Sequence, residues 1–140
     1  EIVLPAMINP VLPIGVSVRH RVFGSTAGRS DGVIWIFLNA ANEVLISQTI
    51  GGNWRLSGSA NGNAFNEDLL IAPDTNTHTF DLRILAPNLV EVFYDDVRVF
   101  GPFTLPDSLV SNYYDFKIQV AQTVAAAKEA HVEHVEIYRF

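Results

Sequence analysis

The sequence predicts an all-β fold, and two observations carry that prediction. First, apolar and polar residues alternate through Thr79–Phe100, with turn residues at Pro87-Asn88 and again at Asp95-Asp96. This is the pattern of an antiparallel meander in which one face of each strand is buried. Second, similar runs recur along the chain at the spacing of about 8–12 residues that is typical of sandwiches and barrels.

Local patterns predict the remaining strands. Residues 1–15 place three prolines among apolar residues, and because proline lacks an N–H donor, this segment predicts an extended sheet edge. The run Val33–Asn39 is apolar on both alternating faces, which predicts a central strand covered on both sides. Further strands are expected at 16–22, 43–50, 54–59, 114–121 and 132–140.

The segments between these strands predict loops and one short helix. Stretches rich in glycine, proline or polar residues are expected to be loops at 24–32, 59–68 and 100–109. Residues 122–130 contain three consecutive alanines, and this helical propensity predicts one or two helical turns. A longer helix from Thr123 to the end is disfavoured, because Ile137, Tyr138 and Phe140 favour a strand.

The composition predicts one folded domain over residues 1–140. Hydrophobic residues make up 49% of the chain and charged residues 17%, so a disordered chain is excluded. No apolar run approaches the roughly 20 residues of a membrane-spanning helix. A net charge of −6 without a basic cluster argues against nucleic-acid binding. The absence of cysteine removes thiol catalysis and disulfides, and it leaves the cellular compartment open.

Three pairs of acidic or histidine residues are candidate chemical sites. His131 and His134 would share one side of a helix and suit a metal, but on an edge strand we expect two surface histidines. Asp95-Asp96 is expected to stabilise a turn rather than bind calcium. Glu91 and Asp95 are the nearest approach to a glycosidase acid pair, but a turn interrupts them. We therefore expect no enzyme activity, no metal and no cofactor.

Five segments, taken in order, carry a family resemblance. Leu12–Val18 has an apolar-Pro-x-Gly turn that leads into a strand, and Trp35–Asn39 follows as an apolar strand ending in Asn. Phe80–Ile84 and Val90–Phe93 form a late hairpin, and Val132–Ile137 is a closing strand. Together they resemble a galectin-type domain over nearly the whole chain. The resemblance implies a two-sheet antiparallel jelly-roll sandwich that binds carbohydrate.

The sugar-binding motif of galectins aligns with the middle of the chain. It consists of His-x-Asn-x-Arg on one strand, an Asn on the next strand, and then Trp-x-x-Glu-x-Arg. The best-aligned positions are Ile46–Ile50, Ser57 and Phe65–Leu69, where the family's His, Asn and both Arg are absent. An alternative alignment puts Trp54 in the tryptophan position. The resemblance implies Phe65 as a stacking platform within a set of expected carbohydrate-binding residues: Ser47, Thr49, Arg55, Ser57, Asn63, Phe65 and Glu67.

Two functions remain open from the sequence. The first is a carbohydrate-binding, lectin-like module with an atypical specificity, whose partner is a glycan or a glycoprotein. The second is a non-lectin domain on the same scaffold, which binds a protein partner or forms a homo-oligomer through an exposed sheet edge or face. Glycan binding and the oligomeric state are the observations that separate them.

Overall fold

The computed structural model describes residues 2–8, 12–23, 29–48, 52–110, 114–122 and 129–140, with side chains over 12–21, 40–48, 52–110 and 131–140. Regular structure in these ranges consists of β-strands. The strands are β1 Ile2–Ile8, β2 Ile14–Phe23, β3 Arg29–Asn39, β4 Asn42–Gln48, β5 Trp54–Ala60, β6 Asn63–Asp68, β7 His78–Ala86, β8 Leu89–Tyr94, β9 Val97–Thr104, β10 Tyr114–Gln122 and β11 Glu129–Arg139.

The strands form two antiparallel sheets. The 6-stranded sheet has the order β1-β10-β3-β4-β5-β6, and the 5-stranded sheet has the order β11-β2-β7-β8-β9. Consecutive strands are neighbours from β3 to β6 in the first sheet and from β7 to β9 in the second, and the chain changes sheet between β6 and β7 as well as near both ends. The predicted two-sheet antiparallel jelly-roll sandwich is confirmed.

Several strand predictions are confirmed in position as well as in type. β1 lies at the edge of the 6-stranded sheet, as its prolines indicate. β3 lies between β10 and β4, as expected of a run that is apolar on both faces. The predicted meander is β7-β8-β9, with turns at Pro87-Asn88 and Asp95-Asp96. The closing strand β11 is the edge of the 5-stranded sheet.

The loop predicted at 59–68 is wrong, because this segment is a β-hairpin. β5 continues to Ala60, a two-residue turn follows, and β6 occupies Asn63–Asp68. The turn residues Asn61 and Gly62 have φ values of 48° and 80°. Two consecutive positive φ values are those of a type I′ turn, which matches the twist of the strands it joins.

Three other segment boundaries differ from the prediction. β3 begins at Arg29, inside the predicted loop 24–32, and residues 24–28 lie outside the described residues. β9 extends to Thr104, into the predicted loop 100–109. The helix predicted at 122–130 is wrong at both ends, because Gln122 belongs to β10 and Glu129 to β11. Residues 123–128 lie outside the described part of the chain.

The core lies between the two sheets and draws on alternate residues of the strands in both. Trp54 of β5 is 2% exposed, and its ring is edge-on to Phe80 of β7 with ring centroids 5.1 Å apart. Burying one such large apolar side chain contributes about 1.5–3 kcal/mol to folding. The buried apolar residues are Ile14, Val16, Val18, Val44, Ile46, Trp54, Leu56, Ala60, Phe65, Leu69, Phe80, Leu82, Ile84, Val90, Val92, Leu105 and Leu109.

His78 fixes the segment that leads from β6 to β7. Its Nδ1 lies 2.6 Å from Asp95 Oδ2 at the β8–β9 turn, and its Nε2 lies 2.8 Å from Asp74 Oδ1 in the connecting segment. An imidazole donates from both nitrogens only when it is protonated. Burial opposes protonation, but the two carboxylates outweigh it and raise the pKa of His78. The connecting segment is thereby tied to the hairpin.

Candidate functional site

The candidate site is the outer face of β4, β5 and β6, which we call the β4–β6 face. Val44, Ile46, Leu56 and Phe65 point into the core, so the alternate residues of these strands point away from the other sheet. Strand pairing places the outward residues in three rows across the sheet: Glu43, Ser59 and Ala64; Leu45, Ser57 and Asn66; Ser47, Arg55 and Asp68.

Arg55 is the centre of a hydrogen-bonded cluster on the β4–β6 face. Its Nε donates to Asn66 Oδ1 at 2.5 Å, and its Nη1 lies 3.5 Å from Asp68 Oδ2. The guanidinium therefore spans β5 and β6. Its side chain is 26% exposed and that of Asp68 is 38% exposed, so both reach the surface.

Asp68 is held in place by groups outside the face. Its Oδ1 accepts a hydrogen bond from Leu70 N at 2.7 Å and another from Asn53 Nδ2 at 3.1 Å. The hydrogen bond from Leu70, with those from Asn53 and the charge of Arg55, lowers the pKa of Asp68. The carboxylate therefore stays charged at neutral pH and presents a fixed acceptor beside Arg55.

The cluster supplies polar groups that can form hydrogen bonds with hydroxyls. Arg55 donates, the carboxylate of Asp68 accepts, and the amide of Asn66 does both. The hydroxyl of Ser57 is adjacent to Asn66 in the strand register. Half-buried Leu45 is the apolar position next to Ser57. The face therefore offers both donors and acceptors around one apolar side chain.

The structure brings together three of the residues expected from sequence. Ser47, Arg55 and Ser57 all lie on the β4–β6 face, and Ser47 is in register with Arg55. Ser47 is only 7% exposed, so its hydroxyl is less accessible than those of the neighbouring strand. Thr49 lies outside the described residues.

The stacking platform expected at Phe65 is corrected by the structure. Phe65 is 8% exposed and belongs to the core, where its ring centroid lies 6.5 Å from that of Phe103. The reason is strand parity, because the β5–β6 hairpin points position 65 toward the other sheet. An aromatic ring in this position has no face open to a sugar.

Asn63 and Glu67 share the parity of Phe65 and lie away from the Arg55 cluster. Asn63 begins β6, and its Nδ2 points to Asn61 O and Asp107 Oδ2, each at 3.4 Å, near the β5–β6 turn. Glu67 is half-buried and pairs in register with the inward residue Leu56. The structure therefore does not group them with Ser47, Arg55 and Ser57.

Asn66 and Asp68 of the candidate site, with Asn53 beside it, are residues that the sequence analysis does not predict. The missing signal was Asn61-Gly62, since Asn-Gly between two segments is a strong indicator of a two-residue hairpin. Recognising that turn fixes the parity of β6 and places residues 66 and 68 opposite Ser57 and Arg55.

The other candidate pairs of the sequence lie away from the β4–β6 face. Glu91 is 7% exposed on β8 and lies 3.7 Å from both Arg83 and Arg98. Asp95 accepts a hydrogen bond from Thr79 N at 2.9 Å, which is the turn role expected of it. His131 and His134 are exposed on the edge strand β11, as expected. The described side chains contain no group of three metal-ligating residues.

Comparison with known proteins identifies the fold but no sequence family. No protein-family model matches the chain, and no curated protein matches it. In the described part of the chain, no helix is long and apolar enough to cross a membrane.

Solved structures match nearly the whole chain. Sheep galectin-11, solved in complex with glycerol, matches with a TM-score of 0.59 and 8% identity, covering 98% of this chain and 96% of its own. The Caenorhabditis elegans galectin LEC-6 matches with a TM-score of 0.57 and 11% identity, covering 95% and 90%. The alginate lyase AlyC3, solved with dimannuronate, matches with a TM-score of 0.63 and 11% identity, covering 92% of this chain and 64% of its own. The fold is therefore galectin-like, as the resemblance implies.

Proposed function

We propose that this chain is a non-catalytic, lectin-like domain that binds a glycan on the β4–β6 face. The observation that carries the proposal is the hydrogen-bonded cluster of Arg55, Asn66 and Asp68 on the exposed side of the 6-stranded sheet. The scaffold is a galectin-like sandwich. The residues proposed to hold the ligand are Arg55, Asn66 and Asp68 of this chain, which differ from the galectin motif.

Preorganisation favours binding at this cluster. Asp68 is fixed by Leu70 N and Asn53, and Arg55 is oriented by Asn66, so little side-chain freedom is lost when a ligand arrives. Hydrogen bonds from a charged guanidinium or to a carboxylate are about twice as strong as neutral ones. The outward positions of β4, β5 and β6 hold no aromatic residue, so hydrogen bonds supply the affinity at the Arg55 cluster.

Replacing Arg55 with alanine is expected to weaken glycan binding by about tenfold or more, because the charge-assisted donors at the centre of the face are lost. A glycan array with the unmodified protein identifies the ligand, and calorimetry measures the loss. Arg98→Ala is the matched control, since Arg98 is exposed on β9 of the other sheet and is expected to leave binding unchanged. An array without hits, or equal binding by Arg55→Ala, contradicts the proposal.

The β11 edge supports a second candidate function, which is self-association. Antiparallel pairing of two β11 strands about residues 133 and 134 places His131 opposite Glu136 and Glu133 opposite His134 of the second copy. The exposed sequence is thus complementary in charge to itself. We expect this pairing to give a dimer by light scattering. A strict monomer contradicts this function and leaves glycan binding untouched.

A further inference from the structure

We propose that the β4–β6 face selects neutral glycans against anionic ones, and that Asp68 is the specificity-determining residue. This inference rests on the proposed function of the face. It concerns which class of sugar is accepted, and uronic acids and other carboxylated sugars are the class excluded.

The charges on the face support this selection. Arg55 is the one cation among the outward residues of β4, β5 and β6, whereas Glu43 and Asp68 are both acidic. The face therefore carries an excess of negative charge. The whole chain adds to it, because its net charge of −6 repels anions at long range.

The geometry shows why Arg55 does not act as an anion receptor. Its Nε is occupied by Asn66 Oδ1, and Asp68 Oδ2 lies 3.5 Å from its Nη1. Asp68 cannot easily turn away, because Leu70 N and Asn53 hold its other oxygen. A sugar carboxylate bound to Arg55 would lie beside this fixed carboxylate. A neutral hydroxyl, by contrast, donates to Asp68 and accepts from Arg55.

The state of charge of Asp68 is consistent with this role. The hydrogen bond from Leu70 N is the largest cause of its lowered pKa, so the carboxylate remains ionised at neutral pH and somewhat below. Two like charges a few ångströms apart near a protein surface repel each other. Compared with a neutral ligand group, this repulsion lowers the affinity about five- to tenfold. The effect falls as salt screens the charges.

The experiment compares matched sugar pairs on the full chain. Oligosaccharides of galactose, glucose and mannose are tested beside those of galacturonic, glucuronic and mannuronic acid, which differ only in a carboxylate at C6. We expect each neutral ligand that binds to exceed its uronate by at least about fivefold at low salt, and the ratio to shrink at high salt.

Asp68→Asn is the decisive variant, because the amide keeps the acceptor for Leu70 N and removes the charge. It is expected to reduce the preference for neutral over uronate ligands by at least about threefold. Asp96→Asn, at the β8–β9 turn of the other sheet, makes the same change in net charge and is expected to leave the ratio unchanged.

The outcomes separate this inference from the function on which it rests. If neutral glycans bind but uronates bind equally well or better, the selection by Asp68 is overturned and glycan binding stands. The same holds if Asp68→Asn and Asp96→Asn shift the ratio equally, since net charge alone then explains it. If neither class binds, the proposed function and this inference both fall.

Discussion

Replacing Gly58 with alanine is expected to lower the free energy of unfolding by about 3 kcal/mol or more. Gly58 lies in β5 with φ at +146°, a backbone conformation that residues with a side chain rarely adopt. A Cβ there would lie 2.1 Å from the carbonyl oxygen of Glu43 and 2.9 Å from its carbon. Because both are backbone atoms of the paired strand β4, no rotamer change relieves the contact, and the strands must separate.

The effect has a matched control in the same hairpin. Gly62 also has a positive φ, of +80°, but a Cβ added there meets no atom within 4 Å. Gly62→Ala therefore carries only the conformational cost, which is about 1 kcal/mol. Chemical denaturation of both variants measures the difference. If Gly58→Ala is no less stable than Gly62→Ala, the close packing of β4 against β5 described above is wrong.

Acidification from pH 6.5 to about 4 is expected to remove about 3 kcal/mol of stability through His20 alone. His20 is 4% exposed and lies parallel to Phe80, with ring centroids 5.4 Å apart. Burial lowers its pKa from 6.5 to about 4, against the weaker effect of the Val18 carbonyl. Between these two values the unfolded chain binds a proton that the folded chain does not, so stability falls as the pH falls.

The contribution of His20 is isolated by comparing variants. His20→Phe keeps a ring against Phe80 and is expected to flatten the pH dependence of unfolding between 6.5 and 4. His134→Gln, at an exposed position, keeps the slope of the unmodified protein. His78 is not the source, because its raised pKa gives a contribution that is lost as the pH rises. An unchanged slope in His20→Phe contradicts the assignment.

The sequence was sufficient for the scaffold where alternation and burial agree. In β7 and β8, every second residue is apolar and points into the core, so pattern and structure coincide. In β2, residue polarity alone does not predict which side chains are buried. Ile14, Val16 and Val18 establish an inward parity that His20 continues, although a histidine is expected outside on composition alone. The strand geometry takes precedence over the polarity of one residue.

The candidate site was predicted less completely, because it depends on one turn. β6 is a sheet-edge strand with four of its six residues Asn, Glu or Asp, so composition indicated a loop. Unless the turn at Asn61-Gly62 is recognised, the sequence does not show which residues of β6 point into the core. Phe65 is then equally suited to the core or the surface. Arg55 is expected from the sequence and lies on the β4–β6 face, but its partners Asn66 and Asp68 follow only from the register of the hairpin.

Backbone amide chemical shifts, followed during titration with a neutral oligosaccharide that binds on the array, show whether the β4–β6 face holds the glycan. We predict that the largest changes fall at Arg55, Ser57, Asn66 and Asp68, which share one surface across β5 and β6. Largest changes on the outer face of the 5-stranded sheet, around Arg83 and Glu91, or no changes at all, would contradict glycan binding on the β4–β6 face.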